Sequence, residues 1–200
     1  MIFENHSRFL PHCSTNQPPK MMAKRVPMTI FLAAMTSFAL ARTTRVPQTT
    51  VSITVNSPIE KAFDYIVPID LTRIFKRYKN YPAVTHTSVR EDWKTAGMNR
   101  TVYFEDGTTS RETLTLVERP TSFAYRIYDF TSPNLKRGAK RIEGSWLFTD
   151  LGNGQTRIEW TYQVVPKHFV ARWILKGLVK KDINALLTNA LITIKNDLEK

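Results

Sequence analysis

Glu112 stands in an alternating run at 109–118 (TSRETLTLVE), on the face it shares with Leu114 and Leu116. A carboxylate that becomes buried on an apolar strand face has its pKa raised. It can then serve as an acid or base, or hold a cation, for which Arg100 and Lys176 are the candidates. A two-residue turn at Asp106-Gly107 sets Glu112 across the hairpin from Thr101 and leaves Tyr103 on the same side. A glutamate near a strand end that reaches solvent fits the same pattern. The other face, with Val102, Phe104, Thr113 and Val117, is apolar enough that the register stays open. Tyr125 and Tyr162 join Glu112 as candidate acid–base groups.

Aromatic residues at a spacing of two surround these groups. Phe123, Tyr125 and Ile127 share a face of one run, Ile142, Trp146 and Phe148 of a second, and Ile158, Trp160, Tyr162 and Val164 of a third. Two readings fit, a packed aromatic core and a ligand-lined cavity. Buried Tyr and Trp need polar partners, which favours a partly hydrated pocket. On the cavity reading the lining is Tyr103, Leu114, Leu116, Tyr125, Ile127, Trp146, Phe148, Trp160 and Tyr162 from the strands, with Trp173 and Leu187 from a C-terminal helix.

Other chemistries lack their residues. His86 and His168 sit in different elements without the paired spacing of a metal site, so no metal and no cofactor are expected, and each reads as a surface histidine. Cys13 is the only cysteine, which excludes a disulfide framework and a cysteine-rich zinc site. Gly152-Asn153-Gly154 is followed by a strand pattern rather than the helix that a phosphate loop requires.

The elements that must position these groups follow from period and punctuation. Val51, Ile53 and Val55 alternate in a strand, Ser57 and Pro58 open a helix (IEKAFDYI), and 70–75 forms a second short helix. Strands are expected at 84–90, 99–105, 109–118, 122–130, 141–149 and 156–165, joined by short turns that imply an antiparallel sheet, with 131–140 as a longer basic loop. Beyond Pro166 the pattern is helical. Ile183, Leu187, Leu191, Ile194 and Leu198 form a stripe at steps of three and four, which Trp173, Lys176 and Lys180 continue upstream.

In order and spacing, VNSPIEKAFDYI, GMNRTVYFEDG, RETLTLVERPTSFAYRI and GSWLFTDLGNGQTRIEWTYQV resemble the SRPBCC (START-like) superfamily, in particular its polyketide cyclase/dehydrase and lipid-transport branch, over 50–199. The resemblance implies an α+β helix-grip fold, a curved antiparallel sheet of about seven strands with two short helices wrapped around a long C-terminal helix. It also implies an apolar cavity between sheet and helix for a lipid, polyketide or similar ligand. The expected function is binding or transport of a small apolar or amphipathic molecule; the alternative is a cyclase or dehydratase using Glu112 with Tyr125 or Tyr162.

The 200 residues are 42% hydrophobic and 23% charged with a formal charge of +12, a composition of one globular domain. Lys24 and Arg25 precede an uncharged stretch at 26–41 that ends Ala39-Leu40-Ala41, the pattern of a secretory signal peptide. A first core helix, a mitochondrial presequence and a membrane anchor are the rivals. The division expected is 1–41 as an extension, with Met21 or Met22 as a candidate start, and 42–200 as one domain. Removing 1–41 takes four basic residues and one acidic residue from 29 Lys+Arg and 17 Asp+Glu, leaving 25 against 16 and a charge of +9. Two basic rims, Arg73, Lys76, Arg77 and Lys79, and Lys136, Arg137, Lys140 and Arg141, suit an anionic membrane surface. Phe75, Tyr78 and Tyr81 interleave with the first, but without an RNA-binding signature no nucleic-acid partner is expected. The oligomeric state is left open. Expressed from Met21 with its own leader, the protein is expected outside the cytoplasm with Arg42 at its N-terminus; sequencing that finds 21–41 retained overturns this.

Overall fold

The computed structural model describes residues 46–89 and 92–200. The expected extension at 1–41, the domain boundary at 42 and the last residue of the 84–90 strand lie outside them. Strands β1 (Gln48–Val55), β2 (Val84–Thr87), β3 (Asn99–Phe104), β4 (Thr109–Glu118), β5 (Ser122–Tyr128), β6 (Ala139–Gly152) and β7 (Gln155–Pro166) form one antiparallel sheet in the order β1-β7-β6-β5-β4-β3-β2. Helices α1 (Ile59–Ile66) and α2 (Leu71–Ile74) follow β1, and α3 (Pro133–Gly138) occupies the segment expected as a loop. The chain closes with α4 (Phe169–Leu178), a π-helical turn at Val179–Ile183 and α5 (Asn184–Leu198). This is the helix-grip arrangement.

Local chemistry explains most of the element ends. Pro58 rather than Ser57 is the N-cap of α1; the Ser57 carbonyl accepts from the buried Thr156 hydroxyl at 2.7 Å, which ties the helix start to β7. The Asp70 side chain caps α2 by accepting from the Thr72 amide at 3.0 Å. Phe63 of α1 meets the rings of Phe123 and Phe148 edge-on at 6.0 and 5.3 Å, so the first helix plugs the end of the sheet.

Two irregularities reset which residues face inward. The β3–β4 connection holds three residues, Glu105, Asp106 and Gly107, because the Phe104 amide donates to the Thr108 carbonyl at 2.9 Å and Gly107 takes φ 78°. The extra residue shifts the register by one, so Arg100, not Thr101, lies opposite Glu112, and Tyr103 falls on the other face. On β4 a bulge between Leu114 and Leu116 reverses parity again. Leu116, expected inside, is 40% exposed, and Val117 takes its place against the core.

The C-terminal helix also departs from the extrapolated stripe. Its buried upstream residues are Ala171, Leu175 and Val179, whereas Trp173 is 65% exposed and Lys176 and Lys180 face solvent. The π turn is the cause, since its wider winding keeps a run of four-residue steps on one face.

Gly144 has no substitute at the sheet centre. Across the strands Tyr125, Gly144 and Tyr162 form one row, and a Cβ built on Gly144 would stand 2.1 Å from Cζ of Tyr125. Gly144→Ala is expected to lower stability by about 1–3 kcal/mol in urea unfolding, as overpacking does. In a Tyr125→Ala background the same change should cost much less; equal costs in both backgrounds would show that the ring is not the obstacle.

Candidate functional site

The site grows from the β3–β4 register. Arg100 Nε donates to Glu112 Oε2 at 2.6 Å, and the two residues are 5% and 3% exposed. Trp93, buried in the segment between β2 and β3, lies under the guanidinium at 4.2 Å from ring centre to Cζ. Thus Glu112 neither reaches solvent nor meets Lys176; it holds Arg100. Nη1 of Arg100 is buried and has no hydrogen-bond partner among the described residues. An unmet buried donor costs about 1–3 kcal/mol, more on a charged group.

Two tyrosines lie in the next row of the same face. Leu114 pairs with Tyr125, Tyr125 with Gly144 and Gly144 with Tyr162, while Glu112 pairs with Ile127 beside them. The Trp160 indole N–H donates to the Tyr125 hydroxyl at 2.9 Å, leaving the tyrosine proton to point elsewhere. Burial pushes the Tyr125 hydroxyl well above the ordinary tyrosine value, with Tyr162 and the Glu112 carboxylate adding to the shift. Burial raises Tyr162 as well, again with help from Glu112. Both hydroxyls therefore stay protonated at neutral pH and can donate.

The inner face divides into two packed groups. In one, Trp146 stacks on Trp160 at 4.1 Å and on Phe123 at 5.5 Å, Phe148 stacks on Phe123 at 6.1 Å, and Leu187 and Leu191 close the layer from α5. Phe130, Ala139, Ile142 and Val164 gather Ala171, Leu175 and Val179 of α4 and the π turn in the other. Ile127, Tyr162 and Ile183 touch both groups and are only partly buried, although they point inward.

Most of the residues expected to line a cavity face inward: Leu114, Tyr125, Ile127, Trp146, Phe148, Trp160, Tyr162 and Leu187. Tyr103 does not; it stacks on the exposed ring of His86 at 4.2 Å on the outer face. Leu116 and Trp173 are likewise outside. His168 caps α4, its Nδ1 accepting from the Ala171 amide at 3.2 Å. Two concavities of about 240 and 490 Å³ lie on the outer side of the sheet. The smaller runs past Thr115, Arg126, Glu143 and Gln163 behind Gly144, the larger past Thr50, Leu147, Glu159 and Thr161. Sequence reasoning missed Trp93, which lies in no periodic run.

The basic rims fare differently. Arg73, Arg77 and Lys79 of the first pair with Asp197, Glu105 and Asp182 at 2.6, 2.9 and 2.5 Å. In the second, Arg141 pairs with Glu143 at 2.7 Å, while Lys136, Arg137 and Lys140 are exposed and have no ion-pair partner among the described residues.

Comparison with known proteins agrees with this architecture. The crystal structure of Ara h 8.0201 is similar at a TM-score of 0.58 and 17% identity, over 77% of this chain and 98% of that one. XoxI from Bacillus cereus is similar at 0.54 and 13% identity, over 76% and 96%. The di-domain ARO/CYC StfQ of the steffimycin biosynthetic pathway is similar at 0.50 and 14% identity, over 76% of this chain and 44% of that one. At these identities the likeness is one of fold. No curated protein matches the sequence. The family model for polyketide cyclase / dehydrase and lipid transport matches residues 47–199, β1 through α5, and the chain belongs to that family.

Proposed function

We propose that the protein binds or carries a small amphipathic molecule between the inner sheet face and the C-terminal helix, with a neutral acceptor end, a carbonyl or hydroxyl, received by Arg100. Family membership supports ligand binding in general terms. The observation that carries the finer reading is the buried Nη1 of Arg100, a donor without a partner beside a saturated ion pair. Glu112 already balances the arginine charge, so a carboxylate ligand would leave one net negative charge in a dry site, whereas a carbonyl accepts the hydrogen bond without that penalty. Tyr125 and Tyr162, in the next row of the same face and both held protonated, are further donors on the side of the proposed ligand. The apolar part of the ligand parts the seam at Ile127, Tyr162 and Ile183, and the π turn gives the helix a place to yield. The same features weigh against a cyclase or dehydratase: the Glu112 carboxylate is committed to Arg100, and neither tyrosine can act as a base near neutral pH.

Native mass spectrometry of purified protein should find a co-purified neutral amphiphile, released on unfolding; clean apo protein from several hosts would count against the reading. A fluorescent aryl ketone should bind with its carbonyl emission shifted as by a hydrogen-bond donor, and a fatty-acid carboxylate should compete poorly.

Stability and binding can be separated at the ion pair. Glu112→Gln strands a buried cation and should cost about 3–5 kcal/mol. The apolar replacement Arg100→Met with Glu112→Leu should restore most of that stability, yet weaken ketone binding at least about tenfold, the equivalent of one hydrogen bond to a charged donor. Unchanged ketone binding in the double variant would remove Arg100 from the site.

A further inference from the structure

Helix α4 is apolar on two opposite sides. Ala171 and Leu175 are buried against β6 and β7, while Phe169, Val170, Trp173 and Ile174 form a second apolar arc that faces away from the sheet and is exposed. Phe169 and Trp173 meet edge-on at 6.1 Å, so these two exposed rings form one joined surface on the arc. An exposed patch of this kind marks a contact surface.

Charge states what the surface fits. From Pro166 to Lys181 (PKHFVARWILKGLVKK) the chain carries five Lys or Arg and no acidic residue. The start of α4 is joined to α3 by the Lys167 amide and ammonium, which donate to the carbonyls of Gly138 and Lys136 at 2.9 and 2.6 Å, so the exposed Lys136 and Arg137 lie near the N-terminal end of α4. A second copy docking isologously on this face would set the same cations against themselves. Among the described residues no helix is long and apolar enough to cross a membrane.

We infer that the α4 face is a membrane-docking surface, with Phe169, Val170, Trp173 and Ile174 entering the headgroup boundary of an anionic phospholipid bilayer and the surrounding Lys and Arg meeting its phosphates. The indole of Trp173 suits that boundary, since its body is apolar and its N–H stays wet.

Trp173 also provides the measurement. Trp93, Trp146 and Trp160 are buried, so a change in emission on adding vesicles reports Trp173 first. With the full chain, vesicles of phosphatidylcholine mixed with phosphatidylglycerol should shift the emission to the blue, and brominated lipid should quench it. Phosphatidylcholine alone should do neither. Trp173→Phe should abolish the shift without altering the thermal melt. Val170→Ser with Ile174→Ser should reduce sedimentation with the anionic vesicles. Lys176→Gln with Lys180→Gln should weaken binding by about 25-fold, at roughly fivefold per cation.

The proposal is overturned if Trp173 gives no shift, if neutral and anionic vesicles act alike, or if the emission moves blue with protein concentration alone, which would make the face a dimer contact. It is also overturned if the free protein already emits blue and turns red when 1–41 is deleted, because the chain's own N-terminal segment then covers α4.

Discussion

A helix that closes a sheet must keep one apolar stripe on one side for its whole length, and this protein meets that requirement with a defect. Four-residue steps in an α-helix drift by about 40° each, so the inward series of buried Ala171, Leu175 and Val179, partly buried Ile183 and buried Leu187 would turn nearly to the opposite side. The π turn at Val179–Ile183 unwinds the helix enough to hold them together. Much else follows from it. Its Ile183 sits where the two inner packing groups meet, and the same unwinding turns Trp173 and its neighbours away from the sheet.

The second constraint is electrostatic. Burying Arg100 and Glu112 together is at best neutral for stability compared with an apolar pair of the same volume, and an unmet Nη1 makes it worse. Trp93 recovers part of the cost by lying against the guanidinium. Folding alone would be served as well by methionine and leucine, which is why the proposed ligand contact is placed at this pair. The aromatic stack on the far side of Tyr125 has the opposite character. Trp146, Trp160, Phe123 and Phe148 pack on one another, and the Trp160 indole N–H finds its acceptor in the Tyr125 hydroxyl.

Strand positions and inward parity were legible wherever alternation was regular, as in β5, β6 and β7, because period two leaves a single choice once one ring is placed. The site was less legible because both of its errors came from single-residue insertions. A three-residue turn in place of a two-residue one turned Tyr103 outward and brought Arg100 to Glu112, and the bulge after Leu114 exposed Leu116. Asp-Gly serves both turn lengths, and nothing in TLTLV announces a bulge. The buried face of the helix is legible in the sequence as well. Ala171, Leu175 and Val179 join the downstream stripe at regular intervals of four, and that regularity is itself the sign of a wider turn.

These features meet at one end of the molecule. The buried arc of α4 packs on Phe130, Ile142 and Val164, a group that shares Ile127, Tyr162 and Ile183 with the main core, and the opposite arc is the exposed one. A helix held on a lipid surface by its outer side is pulled along the same line on which its inner side covers the seam. Were it to yield, the π turn is where the proposed opening would fall, since α5 beyond it is fixed by Leu187, Leu191 and Ile194 in the core. An apolar molecule leaving the bilayer would then reach Arg100 and the tyrosines along an edge of α4 without passing through bulk water. On that route the hydrophobic cost of transfer, about 0.8 kcal/mol for each methylene, would be avoided rather than overcome.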